Sequence, residues 1–478
     1  MRSLRLLAPV QPTDARYRST NVRVRRTAFF IALTAIILEF AISGNTLEVM
    51  GIDYSSAGGN PLVKFHPATY LVAIAAFMIL FMQRPGGVGI VRVFRQTPAL
   101  AGYIVLILFC AFYSILNVGI SGAATYVESY FSAGLLAIAI EPATDRQKRL
   151  IAWWIIGFIV LSIIISIGES LTQTHLIPLH LGDATDKPLK TDADDFRGAG
   201  LFGHPLTASV TTAMGLFVLL RMRMSGMLKG VLFTTFIIGL LSFGGRAALL
   251  VTSVIVVIAT GVVLMRGMIR RDLSPGFVGA IAAALIILPP ILILLLTSTD
   301  IGTRIATHMY MDESADVRNL QWLVLDHLNM HDVLFGVPMQ RMDILKYQIG
   351  LAADTTDIEN FWLLMFLNLG IIGFLVFLIS LGLLLLHLGR TTSHPLGWML
   401  LLAAMIIDST SNSLGRKSVD LFFMVAFMVA MTGFPRIAPR RAAASGRQPQ
   451  GPLPSGLRRP ADRLSTRPIY GKLAGLKP

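Results

Sequence analysis

Charge and cysteine are what this chain has least of. Of its 478 residues, 14% are charged, against about 25% in an average soluble domain. So few charges cannot clothe an ordinary globular surface. The single cysteine, Cys110, lies inside an apolar run, which excludes an intramolecular disulfide and argues against a thiol catalyst. No Ser/His/Asp order and no Cys/His cluster points to a hydrolase or a zinc centre, so neither metal nor cofactor is expected. The inverted-repeat pattern of many secondary transporters is not visible either.

What fills the chain instead is apolar: 54% hydrophobic residues and a mean hydropathy of +0.67. A bilayer core needs about 20 apolar residues per helix. Candidate spans lie at about 27–44, 66–83, 98–117, 124–140, 150–168, 205–220, 230–243, 247–265, 276–297, 360–388, 396–407 and 419–434. The expected fold is therefore an all-α polytopic membrane protein with about 12 transmembrane helices. Phe29 to Ser43 reads as the first span rather than a cleaved signal, because Glu39 interrupts it and a small-residue cleavage site is lacking.

Lys and Arg in short loops resist translocation and set topology. With both termini in the cytoplasm, cytoplasmic segments take 30 of the 41 basic residues, while 22 of the 27 acidic residues lie in spans or outside. The net charge of +14 then belongs to juxtamembrane residues facing anionic headgroups, not to a nucleic-acid surface. Eleven basic residues fall on the wrong side, among them Arg197, Arg246 and Arg318. The organisation expected is a basic cytoplasmic segment over 1–26, a membrane domain over 27–434, and a Pro-, Gly- and Arg-rich disordered cytoplasmic tail over 435–478.

Two outer loops are long, about 169–203 and 298–359, and loops of that size are commonly functional. In the second, Val317, Leu320, Val324 and Leu328 recur at helical spacing, with Arg318 and Trp322 on another face and Asp312 or Ser314 placed to cap the start. Short helices are expected there, lying on the membrane surface or packing on the bundle. The Asp192, Asp194, Asp195 cluster has the Asp-x-Asp spacing of metal-dependent nucleotide-sugar transferases, but it falls outside the cytoplasm and no Rossmann-like strand precedes it. It reads as a solvated acidic loop.

Four segments resemble a family. Phe196-Arg197-Gly198-Ala199-Gly200-Leu201-Phe202-Gly203-His204-Pro205 is similar to the Arg-Gly-…-Pro segment opening a core span in bacterial O-antigen ligases and Wzy-type polysaccharide polymerases. Ser242-Phe243-Gly244-Gly245-Arg246-Ala247-Ala248-Leu249-Leu250 resembles their Ser-Arg-Gly-Ala-Leu turn, and Arg318 to Trp322 followed by Gly336 resembles their Arg-x-x-x-Trp and later glycine. Glu359-Asn360, with Gly370 and Gly373 behind, matches the spacing of their His-Asn…Gly-x-x-Gly. The resemblance covers about 195–390, and the His204-Pro205 form looks closest to the exopolysaccharide-polymerase branch. Two departures stand out: Glu359 replaces the usual His, and Gly-Gly-Arg replaces Ser-Arg-Gly.

The resemblance implies a glycosyltransferase of surface or exopolysaccharide biosynthesis. It would act on polyprenyl-diphosphate-linked oligosaccharides at the outer face of the bacterial cytoplasmic membrane, passing the glycan to a growing chain or another acceptor. Residue chemistry leads the same way. A guanidinium at membrane depth is costly unless it meets an anion or water, and its planar fork suits diphosphate oxygens. Arg246, Arg197 and Arg318 are the candidate clamps. The competing reading has Arg246 snorkel to headgroups or pair with Asp408 or Glu169.

Transfer also needs a base near the attacking hydroxyl. Glu359 is one candidate, with Asn360 to orient it; the alternative bases are His331, His308 and His327. His204 and Trp322 are additional candidates for the site. Glu39, Glu128 and Asp408, in or at the ends of spans, are suspect for function or for pairing with outer cations such as Arg416 and Lys417. Two other classes stay open: a transporter or flippase for an anionic lipid-linked sugar, and an assembly protein of an export complex. A transporter would set its essential charges near the midplane, whereas here the unusual arginines gather at one side.

Overall fold

The computed structural model describes residues 15–54, 60–82, 88–178, 196–270, 320–350, 358, 360–392, 394–410 and 417–434, all within one compact unit, Met1–Pro435. The expected span at 276–297, the tail at 435–478, the Asp192 to Asp195 cluster, His308, Arg318, Glu359 and Arg416 lie outside the described residues.

Every regular element among the described residues is helical. They run α1 (Ala15–Ala41), α2 (Gly44–Val49), α3 (Pro67–Phe77), α4 (Val88–Gln96), α5 (Pro98–Val118), α6 (Ile120–Thr125), α7 (Ser132–Ile140), α8 (Asp145–Thr172), α9 (Pro205–Arg221), α10 (Gly226–Ser242), α11 (Arg246–Arg270), α12 (Met330–Phe335), α13 (Met339–Gln348), α14 (Phe361–Thr392), α15 (Pro395–Thr410) and α16 (Asp420–Thr432). Among the described residues, four apolar stretches are long enough to cross a membrane: Pro98–Asn117, Gly122–Ile140, Asp145–Thr172 and Phe361–Thr392. A π-helical turn, Tyr126–Phe131, joins α6 to α7.

Local chemistry sets the starts. α8 opens on a capping box in which Thr144 and Gln147 satisfy each other's backbone N–H groups. Three helices open on His-Pro. The proline tolerates the first position because it has no N–H to orphan, and the imidazole Nδ1 accepts from the next backbone N–H: Ala68 on His66 at 3.2 Å, Leu206 on His204 at 3.3 Å and Leu396 on His394 at 3.2 Å.

The packing is inside-out for a protein in water. α16 is buried along its length, as are α7 and nearly all of α9. Around them α5, α8 and α14 present large apolar side chains outward, Phe112 at 66% and Leu116 at 71% exposure among them. Soluble monomers rarely expose contiguous apolar patches on this scale; hydrocarbon is the solvent that suits such a perimeter, and helices satisfy their own backbone within it. The described part is an all-α membrane protein.

Long-range bonds distinguish the two ends of the bundle. At one, Arg149 Nη1 donates to Gly433 O at 2.9 Å and Arg221 Nη2 to Phe434 O at 2.6 Å, satisfying carbonyls at the C-terminus of α16; His387 pairs there with Glu141. The helix turns at 41–44, 118–120, 203–205 and 243–246 lie at the other end, with Arg197, Arg246, Lys64 and Lys417.

The segment 320–350 differs from a single amphipathic helix. Trp322–His327 is a 3₁₀ turn that stops at Leu328, because Asn329 and Asp332 form a capping box that starts α12 afresh. Val324 is buried, Leu328 half-buried and Leu320 exposed. Arg341 is tied to Asp332 at 2.8 Å. The segment docks on a kink in α14: Gly370 has φ +60°, and a Cβ there would sit 2.4 Å from Gly336 N, while Val337 N donates to Leu367 O at 2.6 Å. Two glycines singled out in the sequence thus meet backbone to backbone. Gly370→Ala should lower the melting temperature in detergent by the equivalent of about 2 kcal/mol or more, from left-handed strain plus overlap. Gly382→Ala, an exposed helical site with nothing within 4 Å, should leave it unchanged or raise it slightly; equal effects would refute the joint.

Candidate functional site

The loop Phe196–Gly203 is held from below by α8. Glu169, near the C-terminus of that helix and buried, accepts Leu176 N on Oε1 at 2.8 Å, and Ala199 N at 2.8 Å and Gly200 N at 2.9 Å on Oε2. Ser162, two turns earlier, accepts Leu201 N at 3.0 Å. The same face carries Ser166 and Ser170, whose hydroxyls meet Ser242 at 2.8 and 3.2 Å. The loop lies so close to this face that a Cβ on Gly200 would sit 2.3 Å from Ser162 Oγ, and its φ is +56°. From the other side Asn45 Nδ2 donates to Gly203 O at 2.7 Å. His175 Nδ1 stands 3.9 Å from Glu169 Oε2, beyond hydrogen-bond reach; its ring stacks on Phe196 with centroids 4.4 Å apart.

This cradle brings two of the sequence-selected turns together. Gly244 lies against the Arg197 stem: a Cβ at Gly244 would be 3.1 Å from Arg197 Cδ. Arg246 follows two residues later as the first residue of α11, both arginines partly exposed. Beneath them Phe202 meets Phe243 edge-on at 6.5 Å, and Phe40 stacks on Phe423 at 4.1 Å. Two loops remote in sequence therefore rest on one aromatic floor, reaching from the first span to the central helix. His204 is exposed and caps α9 through Nδ1.

A second group lies by the start of α14. Asn360 Oδ1 accepts Leu363 N at 3.1 Å, so Asn360 caps the helix, and its own N–H donates to Gln321 Oε1 at 3.3 Å. Gln321 is fully buried and stands three residues after Arg318. Trp322 and His331 are exposed, His331 tilted against Phe335 at 5.2 Å. α15 packs against α9, α11 and α14, and Trp362 Nε1 donates to Ser409 Oγ at 2.8 Å. It stands between the arginine turns and the Gln321–Asn360 pair.

The suspect carboxylates Glu39 and Glu128 build a separate network at this end. His66 Nδ1 lies 2.9 Å from Glu39 Oε2, and Nε2 donates to Ile42 O at 2.8 Å. Glu128 Oε1 accepts His66 N at 2.9 Å and the Tyr54 hydroxyl. Lys417 donates to Tyr54 O and Lys64 O, both at 2.8 Å, and sits over the Tyr54 ring at 4.2 Å. Among the described residues, the partners of these carboxylates are His66 and Tyr54; Arg416 lies outside them. Burial, then Glu128, holds the Tyr54 phenol well above its usual range, and burial lowers Lys417. Burial opposes charge on His66, but Glu39, the Ile42 carbonyl and Glu128 together more than offset it and raise the imidazole above its ordinary value.

Sequence reading treats Glu169 only as a possible partner for Arg246, yet its carboxylate organises the loop that carries Arg197. The readable signal is a carboxylate ending an apolar span, with serines four residues apart at 162, 166 and 170 on one helical face. In Glu169→Gln the carboxamide NH₂ must face backbone N–H donors, leaving at least one buried donor unmet at about 1–3 kcal/mol. Amide exchange should quicken at Leu176 or at Ala199 and Gly200 while that of α16 does not; unchanged protection at all three would remove Glu169 from this role. Because the His66 pKa is raised in the fold, its stabilisation is complete below the ordinary value of about 6.5 and is lost as pH rises through the folded value. Melting temperature should therefore fall over that rise in the parent more than in His66→Gln; parallel profiles would disprove the pairing. Compared with known proteins, the chain matches no family model and no curated protein.

Proposed function

We propose that this chain is a membrane glycosyltransferase of the polysaccharide polymerase or ligase type. In this reading twelve spans cross the bacterial cytoplasmic membrane with both termini in the cytoplasm, and the loops about 169–203 and 298–359 face outward. The substrate is a polyprenyl-diphosphate-linked oligosaccharide. One observation carries the reading: the Arg197 stem lies on Gly244, so that two arginine turns more than forty residues apart share one patch at the end of the bundle opposite Arg149 and Arg221.

In the reaction, an acceptor hydroxyl attacks the anomeric carbon as the bond from that carbon to the phosphate oxygen breaks, and the lipid diphosphate leaves with the electron pair. Arg197 and Arg246, joined by Arg318, neutralise the charge that gathers on the departing oxygens. The hydroxyl proton passes to Glu359 or to His331. Asn360, fixed by its cap and by Gln321, sets the position of the chain beside Glu359. A transporter or flippase of the same lipid would carry the glycan across unchanged, so product analysis separates the two classes.

Lysine keeps the charge of arginine but not its planar fork. Arg246→Lys and Arg197→Lys should each reduce glycan transfer by about 10- to 100-fold, the loss of one charge-assisted hydrogen bond, with normal membrane abundance and accumulation of lipid-linked repeat units. Full activity in Arg246→Lys at normal abundance would exclude bidentate clamping.

A further inference from the structure

The α4 helix is the one described helix of its length with no buried residue. Its nine residues, Val88-Gly89-Ile90-Val91-Arg92-Val93-Phe94-Arg95-Gln96, would extend only about 14 Å, too short to span a bilayer core of about 30 Å. At 100° per residue Val93, Ile90, Phe94 and Val91 fall on one continuous face, with Arg95, Arg92 and Gln96 opposite. Val91 is 50% and Phe94 53% exposed. Arg92 Nε is held to Gln96 Oε1 at 2.6 Å, which keeps the polar side ordered.

Position favours a lipid surface over water. α4 connects the C-terminal end of α3 to the start of α5, at the end of the bundle where Arg149 and Arg221 hold α16. Trp153 and Trp154, on the third turn of α8, and Trp398, on the first turn of α15, are exposed at that same end; such a girdle marks a membrane–water interface. Gly89 presses against the last turn of the α3 span, where a Cβ would be 2.0 Å from Leu80 O. The helix is thereby fixed beside the perimeter rather than swung into solvent.

We propose that α4 is an interfacial helix that binds anionic phospholipid. Val91, Phe94 and Ile90 enter the acyl boundary, and Arg92 and Arg95 take the headgroup phosphates. Burial of the apolar face supplies membrane contact; the two guanidinium groups supply preference for anionic over zwitterionic headgroups. This surface is independent of the transferase reading, since it lies at the opposite end of the bundle from Arg197 and Arg246.

The test uses the full chain carrying Phe94→Cys, labelled with a polarity-sensitive fluorophore; the native Cys110 is buried, and unsubstituted protein reports background labelling. In nanodiscs, phosphatidylglycerol and phosphatidylcholine are brominated on their acyl chains in separate samples at equal mole fraction. Expected is quenching by both lipids, stronger for phosphatidylglycerol, with a local preference on the order of ten-fold that falls toward one in R92Q/R95Q. Absence of quenching by either lipid would mean that protein covers the apolar face and would overturn the proposal. Equal quenching by the two lipids with both arginines present would overturn recognition of anionic headgroups.

Discussion

One carboxylate sets the geometry on which the Arg197 and Arg246 end of this bundle depends. Glu169 gathers three backbone N–H groups from two segments of chain, and the buried pair from Ala199 and Gly200 would otherwise be orphan donors. Charge-assisted bonds to an ionised acceptor are roughly twice as strong as neutral ones. Two of the three turn a glycine-rich loop, entropically expensive to order, into a fixed platform. Arg197 rides on that platform, Gly244 closes on Arg197, and Phe202 and Phe243 are brought edge to face beneath them. The serines of the same helix face carry the second turn, through Ser242, on that frame.

The His66 network solves a related problem with other parts. The π-helical turn at Tyr126–Phe131 widens the helix and places Glu128 where it reaches both Tyr54 and the His66 backbone. His66 Nδ1 faces Glu39 and Ala68 N at once: as a cation it donates to the carboxylate, as a neutral ring it accepts from the helix start. Buried charges are tolerated when they are paired and hydrogen-bonded. Here acid and base alternate from Glu39 through His66 and Glu128 to Lys417, binding the first span to the approach of the central helix.

Hydropathy made most of the helices legible, because lipid imposes a length and an apolar surface that few other environments demand. Arg197 and Arg246 stand out in the sequence for the converse reason, as charges where charge is costly. The partners of the carboxylates do not. Glu169 at the end of a span reads the same whether it will meet an arginine or the N–H groups of a loop thirty residues away, and only packing decides. Glu39 and Glu128 invite cationic partners by charge alone, and nothing in that charge foretells the histidine and the tyrosine that meet them. Periodicity across Trp322 to Leu328 suggested one helix, but the Asn329–Asp332 capping box outweighs it locally and begins a new one. His204-Pro205 reads as a family mark, while its geometry is the same helix start used at His66 and His394.

The burial of α16 has a consequence for biogenesis. At thirteen residues, about 20 Å, it falls short of the hydrocarbon thickness, and its approach is secured by bonds from Lys417 and Ser418 to Tyr54, Lys64 and Ser129. Those anchors belong to the first third of the chain, and its far end is held by Arg149 and Arg221. The last described helix to be synthesised is therefore received by a socket that earlier helices must already have formed. A nascent chain halted before Asp420 would present that socket, lined by Phe40 and Phe202, as an open wound for lipid, chaperone or protease to find.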